Sequence, residues 1–277
     1  MRFITKRKVG WLIWVALAVL LFIGVSAWPR ATAASPMPVR FVEGVVHGFL
    51  VLRTLDGDPI ASGDLRQVNA DGNVKSHLVF GFKDGSVLDE TVTFTQGQVF
   101  TMQHYHLIQR GPVFSKDSDI TVDRVSGKYT VKTKDHDDGK EDVEDGTLEL
   151  PSDVYNGMIF TILKNLEKGV AETIHLVTFT PKPQIIELEL LPTGHERVSV
   201  GNASKTANSY ILRPKLGTAR KLLASLTGRV PPDNHAWILN DEVPTFVSFQ
   251  GPLFMGGPVW RIELTSPEIE SLRNTDR

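Results

Sequence analysis

No cysteine occurs anywhere in the 277 residues. Disulfide bridges, thiol nucleophiles and thiolate metal sites are therefore all excluded. A fold without such staples must rest on its apolar core, and a chain of this length buries enough surface to have one. A strong charge of one sign is also missing, with 30 Lys and Arg against 32 Asp and Glu. Five of the basic residues (Arg2, Lys6, Arg7, Lys8 and Arg30) and none of the acidic ones fall in residues 1–33, which leaves 34–277 at a net charge of −7. An acidic domain repels phosphate backbones, so no nucleic-acid partner is expected. The short motifs of covalent and phosphate chemistry are absent too: no Gly-x-Ser-x-Gly elbow, no Ser-x-x-Lys with its usual companions, no glycine-rich phosphate loop. Whether the chain is an enzyme stays open, and the balance lies against it.

What is present begins with the N-terminus. The basic residues at 2–8 precede Val9 to Ala27, a run of 19 residues without a charge. Pro29 breaks that helix, and Ala31-Thr32-Ala33 has the small-x-small pattern of a signal-peptidase site. The h-region of a cleaved signal usually has about 7–15 residues, and about 20 span a bilayer. Two readings follow: residues 1–33 are a signal peptide, or residues 9–27 stay as an anchor in the inner membrane. Either way the basic flank implies that 34–277 is translocated, to the periplasm or beyond. No second run of spanning length follows.

Past residue 33 the periodicity is mostly two, with turn signals at intervals of about ten residues, the pattern of antiparallel β structure. Strands are expected at 45–54, 60–69, 74–82, 87–95, 99–109, 120–125 and 128–133, then at 172–180, 185–191, 196–201, 209–212, 235–239, 245–250 and 259–264. Asp84-Gly85 is a strong hairpin signal, because Asp-Gly tolerates the positive φ of tight turns. Asp135-His136-Asp137-Asp138-Gly139-Lys140-Glu141-Asp142 invites a calcium-loop reading, which fails at the sixth position, Lys140, where glycine is required. It is read as a solvated acidic loop. Two helices interrupt the strands. One is expected from Asp153 to about Leu166, so apolar around its circumference that it must be buried on more than one side. The other is Thr218–Leu226. The expected fold is a single mainly β domain over 34–277: an antiparallel curved sheet, as a half-barrel or a sandwich, with two helices.

Leu150-Pro151-Ser152-Asp153-Val154-Tyr155-Asn156 and Trp237-Ile238-Leu239-Asn240-Asp241-Glu242-Val243-Pro244 resemble stretches of a family of exported bacterial proteins bearing a domain of unknown function. That family is similar in fold to the periplasmic lipoprotein carriers, in which a curved sheet forms an open half-barrel with helices across its mouth. The resemblance implies such a half-barrel and no established active site.

A cavity under the first helix would be lined by Phe80, Phe82, Phe94, Phe100, Met102 and Ile108 from the strands and by Met158 and Ile162 from the helix. His104 and His106 would be its polar points, because residues two apart in a strand share a face. In an apolar interior desolvation would lower both imidazole pKa values. The functional expectation is a non-enzymatic envelope protein that binds an apolar ligand, a lipid or an acylated partner. One alternative is an envelope assembly protein with a filled core and protein partners. The other is a metal-dependent hydrolase centred on His104 and His106, for which no third ligand can be placed. No cofactor and no metal is expected.

Overall fold

The computed structural model describes residues 36–179, 182–200, 203–215, 233–254 and 256–265. The apolar run 9–27 and the expected helix Thr218–Leu226 lie outside those residues. No helix among the described residues is long and apolar enough to cross a membrane.

Among the described residues, fourteen strands form one antiparallel sheet. They are β1 (Val46–Arg53), β2 (Pro59–Ala70), β3 (Asn73–Phe82), β4 (Val87–Gln96), β5 (Phe100–Arg110), β6 (Lys116–Asp123), β7 (Lys128–Asp135), β8 (Glu141–Thr147), β9 (Glu172–Thr178), β10 (Gln184–Val200), β11 (Ala203–Lys215), β12 (Asn234–Leu239), β13 (Phe246–Gly251) and β14 (Trp260–Thr265). Each strand pairs with its neighbours in sequence, apart from β8 and β9. The first strand pairs with the last, Leu52 opposite Ile262, so the two ends of the meander meet in the middle of the sheet. Its free edges are β8 and β9, which are consecutive in sequence. Tight turns make this order cheap. Between β2 and β3, Asp71 and Gly72 both have positive φ, 52° and 79°, the pair that a two-residue hairpin needs.

The segment joining the two edges carries the helix α1 (Ile159–Asn165). The expected helix was twice as long, and the structure corrects it. Gly157 has φ +71°, which stops the helix from extending backwards. Upstream of it the chain turns twice and touches the edge of β9 at one bridge, Val154 to His175. The His175 amide donates to the Asp153 carbonyl (3.0 Å) and the Tyr155 amide to the His175 carbonyl (3.1 Å). The apolar density of 153–166 is thus a sign of burial, not of helix length. The segment covers part of one sheet edge, at His175 and Val177, and fills the interior with Val154, Tyr155, Met158, Ile162 and Leu163, all at most 1% exposed. A methyl group at position 157 would lie 3.0 Å from Cβ of Val92 as well as straining the left-handed backbone. Gly157→Ala is expected to destabilise the fold by about 1–2 kcal/mol, read as a lower urea midpoint at constant slope.

The other edge is protected by charge. β8 occupies part of the stretch expected to be loop, since Glu-Asp-Val-Glu-Asp-Gly-Thr has little strand propensity of its own. It pairs with β7, where Lys134 meets Glu141 at 3.2 Å and the Tyr129 hydroxyl donates to Glu144 at 3.3 Å. An edge this charged resists pairing with another chain. Pro192–Gly194 proves to be an irregularity inside the long β10–β11 pair, not a break between strands.

Residues 36–43 lie across one end of the sheet. The Phe100 amide donates to the Met37 carbonyl (2.9 Å) and the Val39 amide to the Gln98 carbonyl (3.0 Å). Asn165, at the end of α1, accepts from the amides of Arg40 (2.9 Å) and Phe41 (2.7 Å).

Candidate functional site

One residue in β5 decides where the expected site residues go. Thr93 pairs with His104, but the next residue, Phe94, pairs with Met102. Gln103 is an extra residue without a partner, a β-bulge, and it inverts the alternation of side chains beyond it. Phe100 and Met102 point inward and are fully buried, and past the bulge the inward residues are Tyr105 and Leu107. His104, His106 and Ile108 are turned to the outer face.

The two histidines share a face, as their spacing implies, but it is not the apolar one. Their rings are 48% and 36% exposed, so neither lies in the apolar interior. His106 Nε2 lies 2.9 Å from Asp119 Oδ1, whereas His104 lies 3.9 Å from a different carboxylate, that of Asp123. The same pairing recurs along the sheet, with His47 to Asp64 and His77 to Asp89 both at 2.9 Å. The His47 hydrogen bond is the main cause holding the Asp64 carboxyl below its ordinary value. Among the described residues no three His, Asp or Glu side chains are grouped to hold a metal. The hydrolase alternative thereby loses the shared interior pair that motivated it.

The interior does contain a cavity, of about 540 Å³. It lies between α1 and the inner faces of β1 to β5 on one side and β9 to β14 on the other. That residues so far apart in the strand order line one space means that the sheet is curled round it. Its wall is mostly aliphatic and aromatic: Leu50, Leu65, Leu78, Phe80, Leu88, Val92 and Leu107 from the first strands, Ile186, Leu188, Leu212 and Ile262 from the last. Ile159 and Phe160 of α1 border it, Phe160 packs on Phe246 with ring centroids 4.1 Å apart, and the space opens to solvent past the exposed Val42, Val45 and Val243. Of the expected lining residues, Phe80 borders the cavity while being itself fully buried in the core. Phe82, Phe94, Phe100, Met102, Met158 and Ile162 belong to the packed core around it. Phe82 sits in an aromatic group with Phe114 and Trp260.

The wall has few polar groups, and they differ in kind. Glu43, 4% exposed, is met by Lys164 Nζ at 2.5 Å and by Gln67 Nε2 at 2.9 Å. The buried Asn234 Oδ1 has no hydrogen-bond donor among the described residues. Glu90 projects from β4 on the same face as Leu88 and Val92, and it accepts a hydrogen bond from the Tyr105 hydroxyl at 2.9 Å. Burial raises the Glu90 carboxyl above its ordinary pKa, and burial followed by the charge of Glu90 pushes the Tyr105 phenol well above its own. Neither residue was anticipated. Glu90 was legible as an acid in the inward register of an otherwise apolar strand face. Tyr105 was not, because only the bulge turns it inward.

No protein-family model and no curated protein matches the sequence. Among solved structures the chain is similar to the crystal structure of a β-barrel-like protein of a domain of unknown function, DUF1849, from Brucella abortus. The match covers 82% of this chain and 98% of that one, at 11% identity and a TM-score of 0.46.

Proposed function

We propose that this protein is a non-enzymatic binding protein of the cell envelope that holds an apolar ligand, a lipid or an acyl chain, in the cavity under α1. The observation that carries the reading is the cavity itself. Its volume is in the range of small-molecule sites, its wall is apolar with a few polar groups, and it lies beside the packed core on the inner face of the sheet. The cavity is also what favours this reading over an assembly protein with a filled core. The N-terminal apolar run supports delivery outside the cytoplasm, and the half-barrel likeness of the sequence stretches at 150–156 and 237–244 supports a carrier role. About twelve methylenes transferred from water contribute on the order of 10 kcal/mol before ordering costs, compatible with binding in the micromolar range.

Native mass spectrometry of the protein purified gently from its own cells tests this. The expected result is a population heavier by the mass of one lipid-like molecule, released on mild activation. A chain that is ligand-free in every preparation, with no lipid in the organic extract, contradicts it.

A further inference from the structure

The geometry points to a ligand with a basic head: we propose that the cavity takes an apolar chain ending in an ammonium group, which pairs with the Glu90 carboxylate. This inference rests on the proposed ligand-binding reading and specifies its chemistry. It starts from the charges in the cavity wall. Glu43 and Lys164 neutralise each other there, at 2.5 Å. No Lys, Arg or His among the described residues pairs with Glu90, whose carboxyl faces the same space. Around it stand Leu78, Leu88, Val92 and Leu107.

A carboxylate in such surroundings is unfavourable unless a cation and hydrogen-bond donors compensate it. Among the described residues one donor reaches it, the Tyr105 hydroxyl to Oε1. An ionised carboxylate offers about four acceptor sites, so the remaining ones, including those of Oε2, are left for what enters the cavity. An ammonium group brings three donors and the missing charge. A fatty acid brings a second negative charge to the same place, and an alcohol brings one donor and no charge. The Tyr105 bond fixes the carboxylate in place before the ligand arrives, which lowers the ordering cost of the pair.

The test is displacement of the neutral fluorescent probe N-phenyl-1-naphthylamine by dodecylamine, dodecanol and dodecanoic acid, in the wild type and in Glu90→Gln. The amine is expected to displace the probe at concentrations about tenfold lower than the alcohol, the range of one charge-assisted contact, with the acid weakest. In Glu90→Gln the ratio of amine to alcohol should fall to about one. Probe binding without an amine preference in the wild type, or a preference that survives in Glu90→Gln, overturns this inference and leaves the cavity reading standing. Absence of probe binding to the wild type overturns both. If Glu90→Gln does not fold, the ranking of the three heads on the wild type decides alone.

Discussion

Tyr155→Ala is expected to lower the free energy of unfolding by about 3–5 kcal/mol, the range for truncating a large buried aromatic side chain. Tyr155 is fully buried in the segment that joins the two sheet edges. Its hydroxyl accepts from the Met37 amide at 2.7 Å and donates to the Phe100 carbonyl at 3.3 Å, so one side chain ties the N-terminal crossing, the start of β5 and the α1 segment together. Burial pushes its phenol up to about 12, so the hydroxyl keeps its proton at any physiological pH. Truncation leaves a void and an amide without an acceptor. Tyr155→Phe separates the two effects: it keeps the ring, and it is expected to cost about 1–3 kcal/mol for the orphaned Met37 amide. Urea unfolding of the three proteins measures both differences. A Tyr155→Ala cost below about 1 kcal/mol would mean that the segment does not hold the curled sheet together.

The second large effect is on binding. Gly48 lies on the inner face of β1 with Leu50 and Leu52, and it forms part of the cavity wall. A Cβ built there meets Leu264 Cδ1 at 3.8 Å and Leu65 Cβ at 3.9 Å, ordinary contact distances. Gly63, opposite Leu50 on β2, is the contrasting case, since a Cβ there would sit 2.5 Å from the Phe80 ring. Gly48→Phe therefore places a ring in the cavity without overpacking the core. Excluding about four methylenes of ligand costs about 3 kcal/mol, so apolar binding should weaken on the order of a hundredfold. The urea midpoint should stay close to that of the wild type.

The meander was legible in the sequence because two forces agree along most of it. Alternation marks the face of most strands, and Gly or Asp-Gly marks most turns, as at 71–72 and 84–85, with Pro taking its place at 183 and 244. Where local signals and tertiary pairing disagree, the sequence misled. β8 joins the sheet by backbone pairing with β7 along its whole length, against its own weak propensity. The apolar run 158–163 suggested a helix reaching back to Asp153, but 153–156 is held to β9 by one bridge, Val154 to His175, and by the Asp153 and Asn156 side chains, and Gly157 decides where α1 begins. The site was misplaced for one reason above all. Gln103 reads as an ordinary strand residue, and nothing local marks it as a bulge; the mismatch between β4 and β5 makes it one. That single insertion exchanges His104 and His106 for Tyr105 and Leu107 at the cavity wall. The aromatic residues Phe94 and Phe100 were placed on the inner face correctly, yet they pack against each other, centroids 6.0 Å apart, and leave the open space to smaller aliphatic side chains.

Fluorescence titration with N-phenyl-1-naphthylamine, wild type beside Gly48→Phe, tests the central claim most directly. The account predicts one saturable site per chain in the wild type, at micromolar probe concentrations, and its loss in a variant that unfolds at the same urea concentration. No saturable binding to the wild type, or equal binding to both proteins, contradicts it.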